Sequence, residues 1–202
     1  MILSALAEYY QRLLANPDSH TGRPKVPAYG FSDEKIAYVI LLSTDGAVVD
    51  VQNNLDTTGK KPAPRLLSVP RPEKRTSGVK SNFLWDKTAY VLGVEGNKDK
   101  SAVKEQPWVI ADKTFQAFKQ LHLEKLGKTK DAGLQVLCKF LQAWQPEQFT
   151  QLPFTIDMLD TNLVFRLDGE HEFLHDKLEA RQIWAEMLAP EEDAVVASCL
   201  VT

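Results

Sequence analysis

Cysteine is scarce in this 202-residue chain, which contains only Cys138 and Cys199 and no C-x-x-C pair. Two isolated cysteines form no disulfide framework, and zinc ribbons and dithiol redox sites need paired cysteines. No stretch approaches the roughly 18 consecutive apolar residues of a membrane-spanning helix. Residues 1–16 lack the unbroken apolar core of a signal peptide, because Glu8, Gln11 and Arg12 interrupt them. We therefore expect a soluble cytoplasmic protein without a membrane partner.

The small net charge of −3 conceals an uneven distribution of charge along the chain. Residues 60–104 carry 11 basic and 4 acidic side chains, a net charge of +7, whereas residues 145–202 carry 3 and 12, a net charge of −9. Apolar residues make up 44% of the chain, which is enough for a globular core. This distribution excludes a uniformly basic, histone-like protein and allows a polyanion-binding surface on one part of the fold.

The spacing of apolar residues predicts an α+β fold with a twisted, mainly antiparallel sheet of about five to seven strands and flanking helices. Helices are predicted over 2–15, 109–126 and 131–144, packed beside the sheet, and strands over 35–43, 47–52, 65–69, 90–94, 163–167 and 194–201. Asp45-Gly46 and Asp168-Gly169 are predicted turns. A last helix is predicted to start at Asp176, with Glu179 completing an acidic capping box.

Residues 171–175, HEFLH, match the H-E-x-x-H zinc signature of metalloproteases. On one α-helix His171 and His175 would share a face and could hold an ion, with Glu191, Glu192 or Asp193 as third ligand. The motif, however, directly follows the predicted Asp168-Gly169 turn and precedes the predicted helix start. In a strand the two imidazoles would be about 13 Å apart. We therefore expect no zinc site.

Other catalytic templates fail more simply. Neither G-x-S-x-G nor G-x-G-x-x-G occurs in the chain. Cys138 lies at an apolar helical position and is interpreted as a core residue, and His122 lies between leucines on a predicted helix, where packing or surface exposure explains it better than catalysis. The sequence therefore predicts neither an enzyme nor a cofactor.

Residues 60–82 concentrate basic side chains in a segment that prolines and glycines keep irregular. Lysine and arginine supply charge to a phosphate backbone, and Ser, Thr and backbone N–H groups supply short donors. Asn82, Ser77 and Thr76 are the candidates for reading base edges, with residues 52–54 as the next polar loop. The alternative is an ordinary solvated loop. The candidate DNA-binding residues are Lys60, Lys61, Arg65, Arg71, Lys74, Arg75, Thr76, Ser77, Gly78, Lys80 and Asn82.

The chain contains the stretches MILSALAEYYQRL, YVILLSTDGAVVDV, GKKPAPRLLSVPRPEKRTSGVKSNFLWDKTAYVLGV, NLVFRLDGEHEFLHDKLEARQIW and CLVT. These stretches resemble the large subunit of the type I-C CRISPR Cascade complex, and VPRPEKRTSGVKSNFLWD is the most specific part. The resemblance runs in order along the whole chain. Because members of that family are considerably longer, residues 1–202 are interpreted as their N-terminal domain, with basic DNA-facing loops at 60–104, a helical pair at 109–144 and an acidic part at 145–202.

The resemblance implies a non-catalytic subunit that binds target double-stranded DNA, recognises the protospacer-adjacent motif and helps start R-loop formation. By this resemblance, recognition of the protospacer-adjacent motif is assigned to residues 74–82 and their basic neighbours. The implied partners are guide RNA, other Cascade subunits, and a helicase-nuclease recruited after the R-loop forms. A small acidic anti-CRISPR inhibitor that mimics DNA would also fit the basic segment. Two alternatives stay open: a zinc-dependent hydrolase using His171, Glu172 and His175, and a scaffold that binds only guide RNA and neighbouring subunits.

Overall fold

The computed structural model describes residues 2–19, 22, 24–76, 78–99, 101 and 103–189. The strands are β1 (Phe31–Ile36), β2 (Tyr38–Leu42), β3 (Val48–Asn53), β4 (Leu55–Asp56), β5 (Ala63–Pro70), β6 (Trp85–Lys87), β7 (Val94–Gly96), β8 (Trp108–Ile110) and β9 (Asn162–Leu167). The helices are α1 (Ile2–Ala15), α2 (Thr88–Val91), α3 (Asp112–Leu126), α4 (Ala132–Ala143) and α5 (Leu178–Leu188). Short 3₁₀ turns cover Pro146–Thr150, Ile156–Met158 and Leu174–Asp176. The predicted α+β class is confirmed.

The strands of the described residues form three sheets, whereas a single sheet was predicted. The central sheet has the order β3-β2-β9-β6, the second has the order β1-β5-β4, and β7 pairs with β8. β2 and β3 are antiparallel around the predicted Asp45-Gly46 turn, whereas β2 and β9 are parallel, with Tyr38 opposite Leu163. The other pairings in the described part of the chain are antiparallel. The sheet system is therefore mainly antiparallel, with a parallel pair at its centre.

The predicted strand over residues 35–43 is divided at Ala37. The Ala37 N–H donates to the Asn162 carbonyl at 3.0 Å, and its own carbonyl accepts the Asn54 N–H at 2.8 Å. This change of partners sends β1 into the second sheet and β2 into the central one. The apolar run over residues 36–42 carries no mark of such a division, although the rest of β1 is mostly polar.

Two other element predictions are wrong. Residues 90–94 were predicted as a strand, but they contain the end of α2, a left-handed Gly93 with φ of +71°, and the start of β7. Short apolar runs do not distinguish a buried helical turn from a strand. The helix predicted from residue 109 starts at Asp112, because residues 108–110 pair with β7 instead. The predicted strand over 194–201 lies outside the described residues.

The core lies where α3 and α4 pack against the central sheet, as the sequence predicts. Phe140 of α4 and Phe118 of α3 contact Phe165 of β9, with ring centroids 5.9 and 6.2 Å apart. By contrast, α1 buries none of its residues, and Leu6 in its apolar stripe is 57% exposed. The predicted packing of this helix beside the sheet is limited to its end, where Leu14 lines a cavity with Leu67 and Ser68 of β5, and the Tyr10 hydroxyl donates to the Pro27 carbonyl of the following loop at 3.0 Å. None of the described helices is long and apolar enough to cross a bilayer.

Candidate nucleic-acid interface

Exposed cations surround strand β5. Residues 71–82, which follow the strand, are called the basic loop. Two lysines precede the strand, one arginine lies on it, and three cations besides the paired Arg75 lie in the basic loop; these six are Lys60, Lys61, Arg65, Arg71, Lys74 and Lys80. Within the described residues, none of these side chains forms an ion pair or a hydrogen bond. Arg65 acts weakly on Asp56, whose pKa is lowered mainly by hydrogen bonds from Thr58. These six cations are therefore available to an external anion, and we call them the free cations.

The free cations are spread along the strand and are not gathered at one point. An eight-residue strand such as β5 is about 26 Å long. Double-stranded DNA carries one negative charge per about 1.7 Å of its axis. Cations placed before, on and after β5 therefore match the length scale of several successive phosphates.

The start of the basic loop is fixed to the core by two hydrogen bonds. The backbone N–H of Arg71 donates to the Gly30 carbonyl at 2.8 Å. The indole N–H of the buried Trp85 donates to the Pro70 carbonyl at 2.7 Å. Because both acceptors lie where β5 ends, the chain leaves the second sheet in a defined direction.

The end of the basic loop is fixed by the carboxylate of Asp86, which is only 1% exposed. Asp86 Oδ2 accepts the Asn82 N–H at 2.9 Å and forms an ion pair with the guanidinium of Arg75. Arg75 Nε also donates to the Lys80 carbonyl at 2.8 Å, and the guanidinium carbon lies 4.2 Å from the centroid of the Tyr90 ring. Arg75 is thus satisfied by this protein's own groups, unlike the free cations.

Asn82 is placed for a structural contact, since it is 3% exposed and its Oδ1 accepts the Glu73 N–H at 3.1 Å. This environment does not favour the predicted reading of base edges by Asn82. Thr76 and Gly78 are exposed in the same loop, and Ser77 lies outside the described residues. Gly78 has a φ of +74°, and nothing lies within 4 Å of the position where a Cβ would stand. The loop backbone there is open to close approach by a ligand.

Residues 52–54, predicted as a further polar loop, are instead the end of β3 and the single residue before β4, and they are largely engaged in contacts within the fold. Gln52 accepts a hydrogen bond from Arg166 on β9, and the Asn54 side-chain amide donates to the Ile36 carbonyl at 2.9 Å. Asn53 is exposed. These contacts connect the end of β3 to its neighbours and leave few polar groups of residues 52–54 for base recognition.

The HEFLH segment differs from the zinc signature that it matches. His171 and Glu172 are exposed in irregular chain, and His175 lies in the 3₁₀ turn before α5, so the two histidines do not share one α-helix. His175 is 1% exposed, and burial lowers its pKa to about 4. In the described part of the chain, no group of three His, Cys, Asp or Glu residues could hold a metal ion. The candidate third ligands Glu191, Glu192 and Asp193 lie outside the described residues.

The capping box predicted at Asp176 is wrong. The residue preceding α5 is Lys177, and no side chain caps this helix. Glu179 Oε1 instead accepts hydrogen bonds from the Thr129 hydroxyl at 2.6 Å and the Lys130 N–H at 3.0 Å. The carboxylate therefore stabilises the connection between α3 and α4, a contact across about 50 residues that the local pattern does not indicate.

Sequence reasoning missed Asp86 and Tyr90. No motif marks them, because they contact a loop arginine 11 and 15 positions earlier in the chain. The core interpretation of Cys138 is confirmed, since its thiol is half-buried and burial raises its pKa. His122 is fully buried, so of the packing and surface roles predicted for it the structure shows packing.

The comparisons with known proteins place the chain in a family. No curated protein matches the chain. A family described as CRISPR-associated protein (Cas_Csd1) matches residues 6–202, which include the second sheet, the basic loop and Asp86. Because the match covers nearly the whole sequence, the chain belongs to the CRISPR-associated protein (Cas_Csd1) family.

Proposed function

We propose that this chain is the DNA-binding N-terminal domain of the large subunit of a type I-C Cascade complex. In this role it binds target duplex DNA, recognises the protospacer-adjacent motif and helps start R-loop formation, and it catalyses no reaction itself. The observation that carries the proposal is the set of free cations around β5, which have no internal partner among the described residues. Membership of a CRISPR-associated family and the resemblance of residues 69–86 support this assignment.

The free cations supply the sequence-independent part of the proposed binding. Each lysine or arginine that neutralises a phosphate releases condensed counterions, so affinity falls as salt is raised. Residues 145–202 carry a net charge of −9. Their repulsion of phosphate and the attraction of the basic segment together steer the duplex toward β5.

Motif recognition is proposed for the exposed part of the basic loop around residues 76–80. Charge alone does not distinguish base pairs, whereas hydroxyl and backbone groups can bind base edges. Thr76 offers a hydroxyl, and the open backbone at Gly78 allows close approach to a groove. The guide RNA then tests the remaining target sequence by base pairing.

The cation contribution is tested by duplex binding to the assembled complex over a salt series. Lys60→Ala/Lys61→Ala and Lys74→Ala/Lys80→Ala should each weaken binding, and each should reduce the slope of log affinity against log salt by about 1.8 for two lost phosphate contacts. Lys113→Ala/Lys128→Ala is the matched control, because these exposed lysines lie on α3 and in the loop after it. Unchanged affinity and slope in both test variants would contradict the proposal. If both variants instead lose guide RNA or neighbouring subunits but retain DNA binding, the scaffold alternative is correct.

Motif recognition needs a separate comparison of duplexes with correct and altered adjacent motifs. Thr76→Val keeps the shape of the side chain and removes its hydroxyl. It should narrow the difference in binding free energy between the two duplexes by about 1–3 kcal/mol. An equal loss on both duplexes would assign Thr76 to a phosphate contact and contradict its reading role.

A further inference from the structure

We propose that Asp86 is a positioning residue that holds the basic loop in its DNA-binding shape through Arg75, and that Arg75 therefore serves the fold and does not contact DNA. This inference rests on the proposed function, but its central contacts exist without any ligand. It replaces one predicted DNA-binding residue, Arg75, by an acidic residue that the sequence did not single out.

The Asp86 carboxylate gathers hydrogen bonds from three directions. Its Oδ2 accepts from Arg75 and from the Asn82 N–H, and its Oδ1 accepts the Lys87 N–H at 2.8 Å. Asp86 lies on β6, which pairs with β9 in the central sheet. The carboxylate thus anchors the irregular basic loop to a strand of the central sheet.

Arg75 connects that carboxylate to the middle of the basic loop. Its Nε–H donates to the Lys80 carbonyl, so residues 75 and 80 are held close together. The guanidinium also stacks on Tyr90 of α2. A planar group with several donors can make all three contacts at once, whereas a lysine ammonium cannot reproduce the fork and the stacking.

This arrangement fixes the backbone positions of Lys74 and Lys80. A loop that holds its binding shape for only a fraction of the time has an apparent affinity reduced by that fraction. If the shape is populated about one-tenth of the time, affinity falls about tenfold. Asp86 therefore supports binding to a polyanion although its own charge is repelled by phosphate.

Asp86→Asn separates loop positioning from charge repulsion, because loss of the two has opposite effects on DNA affinity. Removing a negative charge next to the basic loop should strengthen DNA binding if only long-range electrostatics matter. The asparagine side chain, however, carries a donor in place of one carboxylate oxygen and has no charge to pair with Arg75. With the NH2 group at the Oδ2 position, both Arg75 and the Asn82 N–H lose their acceptor, and at the Oδ1 position the Lys87 N–H loses its acceptor. We expect duplex binding to the assembled complex to weaken about tenfold, while the salt slope stays unchanged because the same phosphates are contacted once the loop is ordered.

Arg75→Lys provides a second variant that keeps the positive charge and changes a partly exposed side chain. If Arg75 contacts a phosphate, lysine should retain most of the affinity; if it positions the loop, the loss should resemble that of Asp86→Asn. Lys74→Ala is the contrasting control, with a flatter salt slope. Tightened binding by Asp86→Asn, or wild-type affinity of Arg75→Lys, would overturn the inference.

Hydrogen exchange on the full chain without DNA tests the positioning directly. The amides of residues 73–82, and that of Asn82 above all, should exchange faster in Asp86→Asn and Arg75→Lys than in the wild type, and at wild-type rates in Lys74→Ala. Unchanged exchange in both variants would overturn the inference. If exchange is faster in both variants but the wild-type complex binds no duplex, the positioning role is supported and only the proposed function is contradicted.

Discussion

The imidazole of His122 on α3 accepts the backbone N–H of Leu84 at its Nε2, across 2.8 Å and 38 residues of sequence. Its Nδ1–H donates to the Phe118 carbonyl at 2.7 Å, so the neutral ring uses both nitrogens. Leu84 has a φ of +64°, a left-handed conformation that is unfavourable for a leucine. This hydrogen bond fixes the turn between the basic loop and β6, next to Asp86.

Replacing His122 by phenylalanine should lower the free energy of unfolding by about 1–3 kcal/mol. Phenylalanine fills the same space between Phe83 and Phe118 but leaves the buried Leu84 N–H without an acceptor. Chemical denaturation measures the loss, and His171→Phe is the control because His171 is exposed. Equal stability of His122→Phe and the wild type would show that the hydrogen bond contributes nothing.

Stability should fall as the pH is lowered from about 6.5 toward 4. Burial lowers the pKa of both His122 and His175 from 6.5 to about 4. Between these values the unfolded chain binds protons that the folded protein does not, so the contribution is complete above pH 6.5 and is lost on acidification. The loss is about 1.4 kcal/mol per pH unit for each histidine.

Denaturation between pH 7 and 5 isolates this effect, since the lowered pKa values of Asp45, Asp56 and Glu179 act at lower pH. The double variant His122→Gln/His175→Gln should show a clearly flatter dependence of unfolding free energy on pH, whatever its absolute stability. A wild-type profile that is flat over this range would contradict neutral, buried histidines.

The contact between Glu179 and the loop after α3 should stabilise the helical pair. Thr129→Val removes the hydroxyl that donates to Glu179 while keeping the side-chain shape, and should cost about 1 kcal/mol of unfolding free energy. Thr129→Ser retains the hydroxyl and serves as the matched control. If valine and serine are equally tolerated in thermal unfolding, this hydrogen bond does not stabilise the connection.

Two glycines with similar backbone angles should respond differently to alanine. Gly46, with φ of +91°, lies where a Cβ would stand 2.8 Å from both Lys139 Cβ and the Phe140 nitrogen, whereas Gly78 has open space. Gly46→Ala combines left-handed strain with overpacking and should cost about 2–4 kcal/mol. Gly78→Ala should cost only the backbone term, about 1–2 kcal/mol. Comparable losses of thermal stability would contradict close packing of the Asp45-Gly46 turn against α4.

The sequence predicted the elements whose signals are local. Helices α3 and α4, strand β9 and the Asp45-Gly46 turn follow from side-chain spacing within a few residues, and the concentration of basic residues in 60–82 follows from composition. Predictions failed where one local pattern fits two structures, as in residues 90–94, or where a partner lies far away in the chain. Glu179 was interpreted as a cap of its own helix because its true partner, Thr129, is 50 positions earlier.

The sequence by itself determined the α+β class, the charge separation and the location of the basic loop, because periodicity and charge are properties of neighbouring residues. The tertiary structure alone decided that β2 and β9 run parallel, that Asn82 is buried, and that Arg75 is paired whereas Lys74 is free. Lys74 and Arg75 are adjacent cations and their local pattern is alike. They differ because folding brings the Asp86 carboxylate to one of them, and a buried carboxylate without such a partner would be costly.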